Sequence, residues 1–305
     1  MGRIRVLLAV PLLLAWLAAC SPAGAEPLIR LSDLEPLEVP TSDVPPLRVA
    51  VAAVLSAQST AETYQPLLDY LSARLGRPVE LVQRRTYGEI NQLVKEGEVD
   101  VAFVCTAAYV VGHDEFGMRL LAAPQVNGAT VYYSYLIVPA DSPAQSLADL
   151  RGSVFAFTDP LSTTGRMYPI YLVQRLGTTA ERFFGRTYFT YSHDEAIRAV
   201  AGGLADGAAV DSLVYDSVVR RDPALGAKIR VIDRSPPFGI PPVVVGPSVR
   251  PQLVAQLAEA LMGMSADPEG RRALEAMQLD GFVPIEDSAY DSVRTLLKEA
   301  GALLP

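Results

Sequence analysis

The sequence is poor in the residues that build metal centres and disulfide scaffolds. It has two histidines and two cysteines in 305 residues, too few for a His/Cys metal cluster or a cystine framework. It has no basic run, and 26 Lys and Arg stand against 34 Asp and Glu for a net charge of −8. That balance excludes nucleic acid as a natural partner. Past residue 19 no apolar run reaches the ~18 residues of a membrane span. There is no G-x-S-x-G elbow and no phosphate-binding P-loop, so neither a serine hydrolase nor an ATPase is indicated. What is present is a chain that is 50% hydrophobic and 20% charged, enough for a real core and long enough for about two domains.

The first residues read as an export signal. Arg3 and Arg5 precede a leucine-rich stretch from Val6 to Leu17, and Leu17-Ala18-Ala19-Cys20 follows. A basic start, a short apolar segment and small residues before a cut describe a secretory leader. The last four residues resemble the lipobox of bacterial lipoproteins, in which the cysteine is lipidated. Residues 1–19 are therefore expected to be a signal peptide and Cys20 the lipid-bearing residue, giving an exported, membrane-anchored periplasmic lipoprotein. Cys105 is then the one remaining thiol. Residues 20–46 are proline-rich without apolar periodicity and read as a tether.

From Leu47 short apolar strands alternate with amphipathic helices. Strands are expected at 47–54, 79–84 and 99–104, with helices at about 61–75 and from Thr86. Leu67, Leu68, Leu71 and Leu75 share one helix face, and Thr86 with Glu89 forms a capping-box pattern. A βαβαβ order implies a parallel sheet. VYYSYLIVP (131–139) reads as a long strand leaving this lobe. A second series runs through strands at 154–159, 187–191, 207–211 and 229–233, with helices near 168–176 and from His193. The segment 236–246 is expected to cross back, followed by helices near 251–264, 268–277 and 287–300. Two α/β lobes joined by two crossings describe a hinged clamp over a ligand. The expected boundaries are 47–138 plus 240–305 for lobe one and 139–239 for lobe two.

FTDPLSTTGRMYP (157–169) carries the sharpest chemistry. A strand ends at Asp159, and Ser162-Thr163-Thr164-Gly165 opens a helix. Helix N-termini present unpaired N–H groups and a partial positive charge, and hydroxyls beside a glycine let the backbone approach an oxyanion. One N-cap needs only one hydroxyl. Arg166 after the turn either clamps the anion or closes the lobe interface. In YSHDEAIRAV (191–200) Ser192 and Glu195 form a second capping-box pattern, which sets His193 in the first helical turn. Asp211 ends a strand, where it either caps the next helix or accepts a hydrogen bond from a protonated ligand oxygen. Ser56, Ser59 and Thr60 follow the first strand end, Tyr87 opens a helix and Tyr109 follows the third strand. Each suits turn chemistry or half-buried packing as well as a ligand. Cys105 stands at the third strand's end, where a cleft opens. A buried cysteine is often only a small hydrophobe, but an unpaired thiol in an oxidising compartment is a liability.

Together these strings resemble the phosphate/phosphite/phosphonate solute-binding proteins of bacterial ABC transporters. The resemblance runs from about Leu47 to Leu297. It rests on the order of SAQSTAETYQPLLDYLSARLGRPVE (56–80), YGEINQLVKEGEVDVAF (87–103), DPLSTTG (159–165), SHDEAIRAVAGGLADGAAVDS (192–212) and SPP (235–237). It implies an α/β fold, the two-lobed type II periplasmic-binding-protein clamp with mixed sheets flanked by helices. It also implies a bound tetrahedral oxyanion, an ABC permease as partner, a monomer, no cofactor and no catalysis. The family's hydroxyl turn maps to Ser162, Thr163, Thr164 and Gly165, its His-Asp helix start to His193 and Asp194, its acidic strand end to Asp211 and its lobe-one aromatic to Tyr87. Arg166 and Cys105-Thr106 depart from the family pattern. A cleft thiol looks like the branch that senses arsenite for a two-component histidine kinase, since trivalent arsenic is thiophilic. Capture for an importer and sensing through Cys105 both stand as expectations.

Overall fold

The structure is a computed structural model that describes residues 44–301. The expected signal peptide, Cys20 and most of the tether lie outside the described residues.

The chain runs in order through β1 (Leu47–Val51), α1 (Ala57–Leu75), β2 (Val79–Gln83), α2 (Tyr87–Glu96), β3 (Val101–Phe103), α3 (Thr106–Phe116) and β4 (Arg119–Gln125). β5 (Val131–Tyr132) and β6 (Ser134–Pro139) follow, then β7 (Val154–Phe157), α4 (Tyr168–Arg175), β8 (Arg186–Phe189) and α5 (His193–Ala201). β9 (Gly207–Asp211), α6 (Ser212–Arg221), β10 (Ile229–Arg234), β11 (Phe238–Gly239) and β12 (Val243–Val245) come next. The chain closes with α7 (Pro251–Met262), α8 (Pro268–Met277), β13 (Gly281–Val283) and α9 (Asp291–Glu299).

The strands form two mixed sheets, one in each lobe. The first has the order β13-β4-β12-β3-β1-β2 and the second β10-β6-β9-β7-β8. In the first, β1 runs parallel to β2 and β3, whereas β12 is antiparallel to β3 and β4. In the second, β7 runs parallel to β8 and β9, and β6 is antiparallel to β9 and β10. The expected parallel crossovers are thus present in one half of each sheet, ending at the edge strands β2 and β8, and returning strands make each sheet mixed. A two-stranded ribbon of β5 and β11 joins the lobes. The run 131–139 is not one strand. It breaks at Tyr133, because its two parts pair in different sheets.

Strand alternation builds the layers. Leu47, Val49 and Val51 pack on one face of the first sheet with Leu67, Leu71, Leu257 and Leu261, whereas Ala50 and Ala52 face Ile90 and Val94. In the second sheet Phe155 and Phe157 face Phe184 and Val173, and Ala156 and Val210, on the other face, pack against Ile197. Fully burying each such large side chain contributes about 1.5–3 kcal/mol, so these alternations fix the register of both sheets.

Sequence reasoning did not anticipate α3 or β4. Seven consecutive residues of α3, from Thr106 to Gly112, are buried. A helix that is apolar all round has no amphipathic stripe to reveal it.

Candidate functional site

Each local structure here follows from its residues. The Thr86–Glu89 capping box forms as expected: Thr86 accepts from the Glu89 amide, and the Glu89 carboxylate accepts from the Thr86 amide at 2.8 Å. It sets Tyr87 at the start of α2. The Ser192–Glu195 box does not form, because Glu195 pairs with Arg198 one turn on at 3.3 Å. The hydroxyl turn enters α4 through a single π-type turn over Thr163–Met167. Ser162 Oγ caps it by accepting from the Gly165 amide at 3.0 Å. Gly165 is required there, since a Cβ would overlap the Thr158 hydroxyl.

Second-lobe acceptors occupy the N-termini of three first-lobe helices. Asp194 Oδ1 accepts from the Ser56 amide ahead of α1 at 2.8 Å. Asp159 Oδ2 accepts from the Tyr87 amide of α2 at 3.1 Å. Thr163 Oγ1 accepts from the Ala107 amide of α3 at 2.9 Å. Each satisfies an N–H that an isolated helix leaves unpaired, at the positive end of its dipole. The His193 amide also donates to the Val54 carbonyl at 2.9 Å, and the Arg85 guanidinium lies 4.1 Å from the Tyr191 ring centroid. The lobes are therefore clasped by named pairs on both sides of the cleft.

Between these clasps lies a buried polar cluster. His193 Nδ1 accepts from the Asp211 amide at 2.9 Å, which leaves the proton of the neutral ring on Nε2. That Nε2 sits 3.4 Å from Ser162 Oγ. Burial holds the imidazole down at about 3 against the pull of Asp194, so the ring is a neutral donor at physiological pH. Asp211 Oδ1 caps α6, accepting from the Leu213 and Val214 amides at 2.7 and 3.4 Å. Burial outweighs those bonds and lifts its carboxyl to about 7. Asp159 is likewise raised by burial, to about 6, against the Leu161 and Tyr87 amides. Burial pushes the Tyr87 phenol up, and Cys105, Asp159, Asp211 and Tyr132 add to it. Tyr87 Oη and Thr164 Oγ1, from opposite lobes, are both buried without a hydrogen-bond partner. Such orphaned hydroxyls are costly, and a ligand oxygen is the kind of group that satisfies them.

The structure brings together Tyr87, Cys105, Ser162, Thr163, Thr164, Gly165, His193 and Asp211, and it revises several roles. The Thr163 hydroxyl is committed to α3. It receives the Ala107 amide and lies 2.6 Å from Thr106 Oγ1, which in turn meets Tyr132 Oη at 2.9 Å. Arg166 is tied to its own turn, where its Nη1 donates to the Pro160 carbonyl at 2.8 Å. The Thr60 hydroxyl donates to the Leu55 carbonyl at 3.2 Å, and that of Ser56 to Ser59 Oγ at 2.9 Å, so both are spent on the turn into α1. Cys105 is buried ahead of α3, with Sγ 3.7 Å from Thr163 Oγ1, and burial pushes its thiol up. Tyr109 faces away and donates to Asp287 at 2.7 Å. Asp159, Thr106 and Tyr132 went unread as site residues. An aspartate placed between a strand end and a proline was the available signal for Asp159. Among the described residues no group of three or more His, Cys, Asp or Glu is arranged to hold a metal, and no helix is long and apolar enough to cross a membrane.

The family model for the periplasmic substrate-binding protein of phosphonate ABC transporters matches residues 49–290. A phosphate-import protein, PhnD, of Mycolicibacterium smegmatis is 28% identical over 279 residues, covering 84% of this chain and 87% of its own. The phosphonates-binding periplasmic protein of Escherichia coli is 25% identical over 248 residues, covering 80% and 72%. A binding-protein component of an ABC phosphonate transporter from Pseudomonas aeruginosa superposes with a TM-score of 0.79. It is 24% identical and covers 86% of this chain and 91% of its own, a likeness of fold.

Proposed function

Because the chain belongs to the periplasmic substrate-binding proteins of phosphonate ABC transporters, we propose that it captures a small tetrahedral phosphorus oxyanion between its lobes and delivers it to an ABC permease. The ligand is a phosphonate, phosphite or phosphate. One observation carries this reading: the buried, unpartnered hydroxyls of Tyr87 and Thr164 flank a neutral imidazole and a carboxyl of raised pKa.

In this proposal Tyr87, Thr164 and the Nε2–H of His193 donate to ligand oxygens. The first N–H groups of the hydroxyl turn add backbone donors, as helix starts do for phosphates. Ser162 and Gly165 shape the turn. Asp211, when protonated, donates as well; when ionised, it accepts only from a protonated ligand oxygen. The protein is a binder and not an enzyme. It acts as a monomeric lipoprotein anchored through Cys20, with lobes spanning 47–138 plus 240–305 and 139–239. The alternative, an arsenite-type sensor signalling to a histidine kinase, needs a reactive Cys105. Burial raises that thiol and disfavours the thiolate that binds soft metalloids, so transport is the better-supported reading.

Titration calorimetry against methylphosphonate, phosphite, phosphate, sulfate, arsenate and arsenite tests the proposal. At least one phosphorus oxyanion should bind, and Tyr87→Phe and Thr164→Val should each cost ~1.5–3 kcal/mol, roughly ten- to hundredfold in affinity. Cys105→Ser should change that affinity little. Binding of arsenite alone, abolished in Cys105→Ser, would replace transport by sensing.

A further inference from the structure

A second chamber of about 300 Å³ opens between the lobes beside the polar cluster. Tyr64, Phe103 and Phe282 line it from the first lobe, Leu213 and Val218 from the second, and Pro242 from the crossing segment. Its volume equals that of about ten waters and lies at the low end of small-molecule sites. A bare oxyanion held by Tyr87, Thr164 and His193 leaves this chamber unused, because none of those residues lines it.

Asp211 joins the two spaces. It belongs to the chamber wall, and its amide donates to His193 in the polar cluster. Its charge also acts on the Tyr64 phenol at the chamber's other side, which burial already pushes up. Val104, the residue before Cys105, also lines the chamber. Within the chamber the Thr63 hydroxyl is buried without a hydrogen-bond partner. A polar head beside a mainly apolar recess matches a ligand whose phosphorus carries an organic group through a carbon–phosphorus bond.

We propose that this chamber receives the apolar substituent of an alkyl- or arylphosphonate of butyl to phenyl size, so that the protein prefers such ligands to phosphate, phosphite or methylphosphonate. The inference rests on the oxyanion reading above and names the substrate class of that site. Each methylene moved from water into the chamber should tighten binding about fourfold, a total of roughly sixtyfold from methyl- to n-butylphosphonate.

The test is calorimetry on the full chain with methyl-, ethyl-, n-butyl- and phenylphosphonate. It is repeated with Ser217→Phe and Val218→Phe, which fill the chamber from α6 and lie outside the oxyanion cradle. The expected result is a stepwise gain with chain length in the wild type. In either folded variant methylphosphonate should bind as before and the gain should disappear. If methylphosphonate binds and n-butylphosphonate binds no tighter, the chamber is not a subsite and the oxyanion reading stands alone. A chain-length gain that survives both fillings puts the substituent elsewhere and also overturns the inference. If no phosphonate binds, the inference falls, and titration with phosphate and phosphite decides the oxyanion reading separately.

Discussion

Replacing Asp211 with asparagine isolates the titration of one buried carboxyl from everything else that changes with pH. The side chain caps α6 through Oδ1, and asparagine keeps that oxygen and is as good an N-cap. What is lost is the proton, held by a group that burial lifts to about 7. Below that value the native side chain is a neutral donor to an ionised ligand oxygen. Above it the side chain is an anion facing an anion. If only the protonated form binds a fully ionised ligand, affinity falls about tenfold for each pH unit above 7. The ligand titrates in the same range, but where Asp211 acts as the donor the ligand's protonation cancels in the ratio of wild-type to Asp211→Asn dissociation constants. That ratio should be near one at pH 6 and about ten at pH 8. Stability gives an independent reading with a fixed sign. A carboxyl whose folded pKa is raised from 3.8 to about 7 stabilises the fold fully below pH ~4. That contribution is lost as pH rises to ~7. Between pH 5 and 8 the advantage of asparagine over aspartate should therefore grow by about 3 kcal/mol. Calorimetric binding and thermal melts of both proteins at several pH values make the test. A flat ratio of dissociation constants would remove Asp211 from the ligand site, and a stability difference that does not change with pH would mean that the carboxyl is not raised.

Two further outcomes follow from the geometry. Asp194→Ala removes the acceptor that ties the Ser56 amide to the second lobe and pairs with Arg198 at 2.9 Å. Losing a buried partner of this kind costs about 1–3 kcal/mol, so small-angle scattering of the unliganded variant should show a larger radius of gyration; an unchanged profile would mean that Asp194 does not clasp the lobes. Gly165→Ala places a methyl against the Thr158 hydroxyl, and such overpacking costs about 1–3 kcal/mol. The melting temperature and ligand affinity should fall together, and a variant that keeps both would show that the turn has slack.

How much of this was legible in the sequence depended on whether the signal was local. The Thr86–Glu89 cap, the leucine face of α1 and the apolar runs of the central strands are encoded within a few residues, and each was readable before the structure. The helix α3 was not, because burial on every side erases the periodic contrast that marks a surface helix. The hydroxyl turn was readable as a cluster, but its division of labour was not. Thr163 and Thr164 are neighbours of the same chemical type. One hydroxyl meets the Ala107 amide of the other lobe and the other is left unpartnered. That difference is set by a contact across 56 residues of chain, which no local pattern carries. The surroundings of Arg166 were hidden for a related reason: its charge left an anion clamp and an interface contact both open, and only the folded turn brings its Nη1 to the Pro160 carbonyl. Ser192 and Glu195 fit the capping-box spacing, yet Arg198 competes for the same carboxylate.

The cradle poses an electrostatic problem whose solution bears on release as well as capture. The chain carries a net charge of −8, so its long-range field repels an anion, although salt screens that field over ~8 Å. Two guanidiniums of the second lobe are engaged within their own lobe: Arg166 with Pro160 and Arg198 with Asp194. Binding in the proposed site then depends on short hydrogen bonds from neutral donors, contributed by both lobes. Tyr87 comes from the first, and Thr164, His193 and Asp211 from the second. The same helix N-termini that attract anions in isolation are taken up by Asp194, Asp159 and Thr163, so their dipoles hold the lobes together. Closure and binding therefore draw on the same interface. Opening it withdraws Tyr87 from the ligand and readmits water to the remaining donors, where each hydrogen bond is worth far less than in a buried site. A site built on a fixed lysine or arginine would keep much of its attraction when open. One built on neutral donors from two lobes loses its grip on opening, as a protein that must hand its ligand to a permease requires.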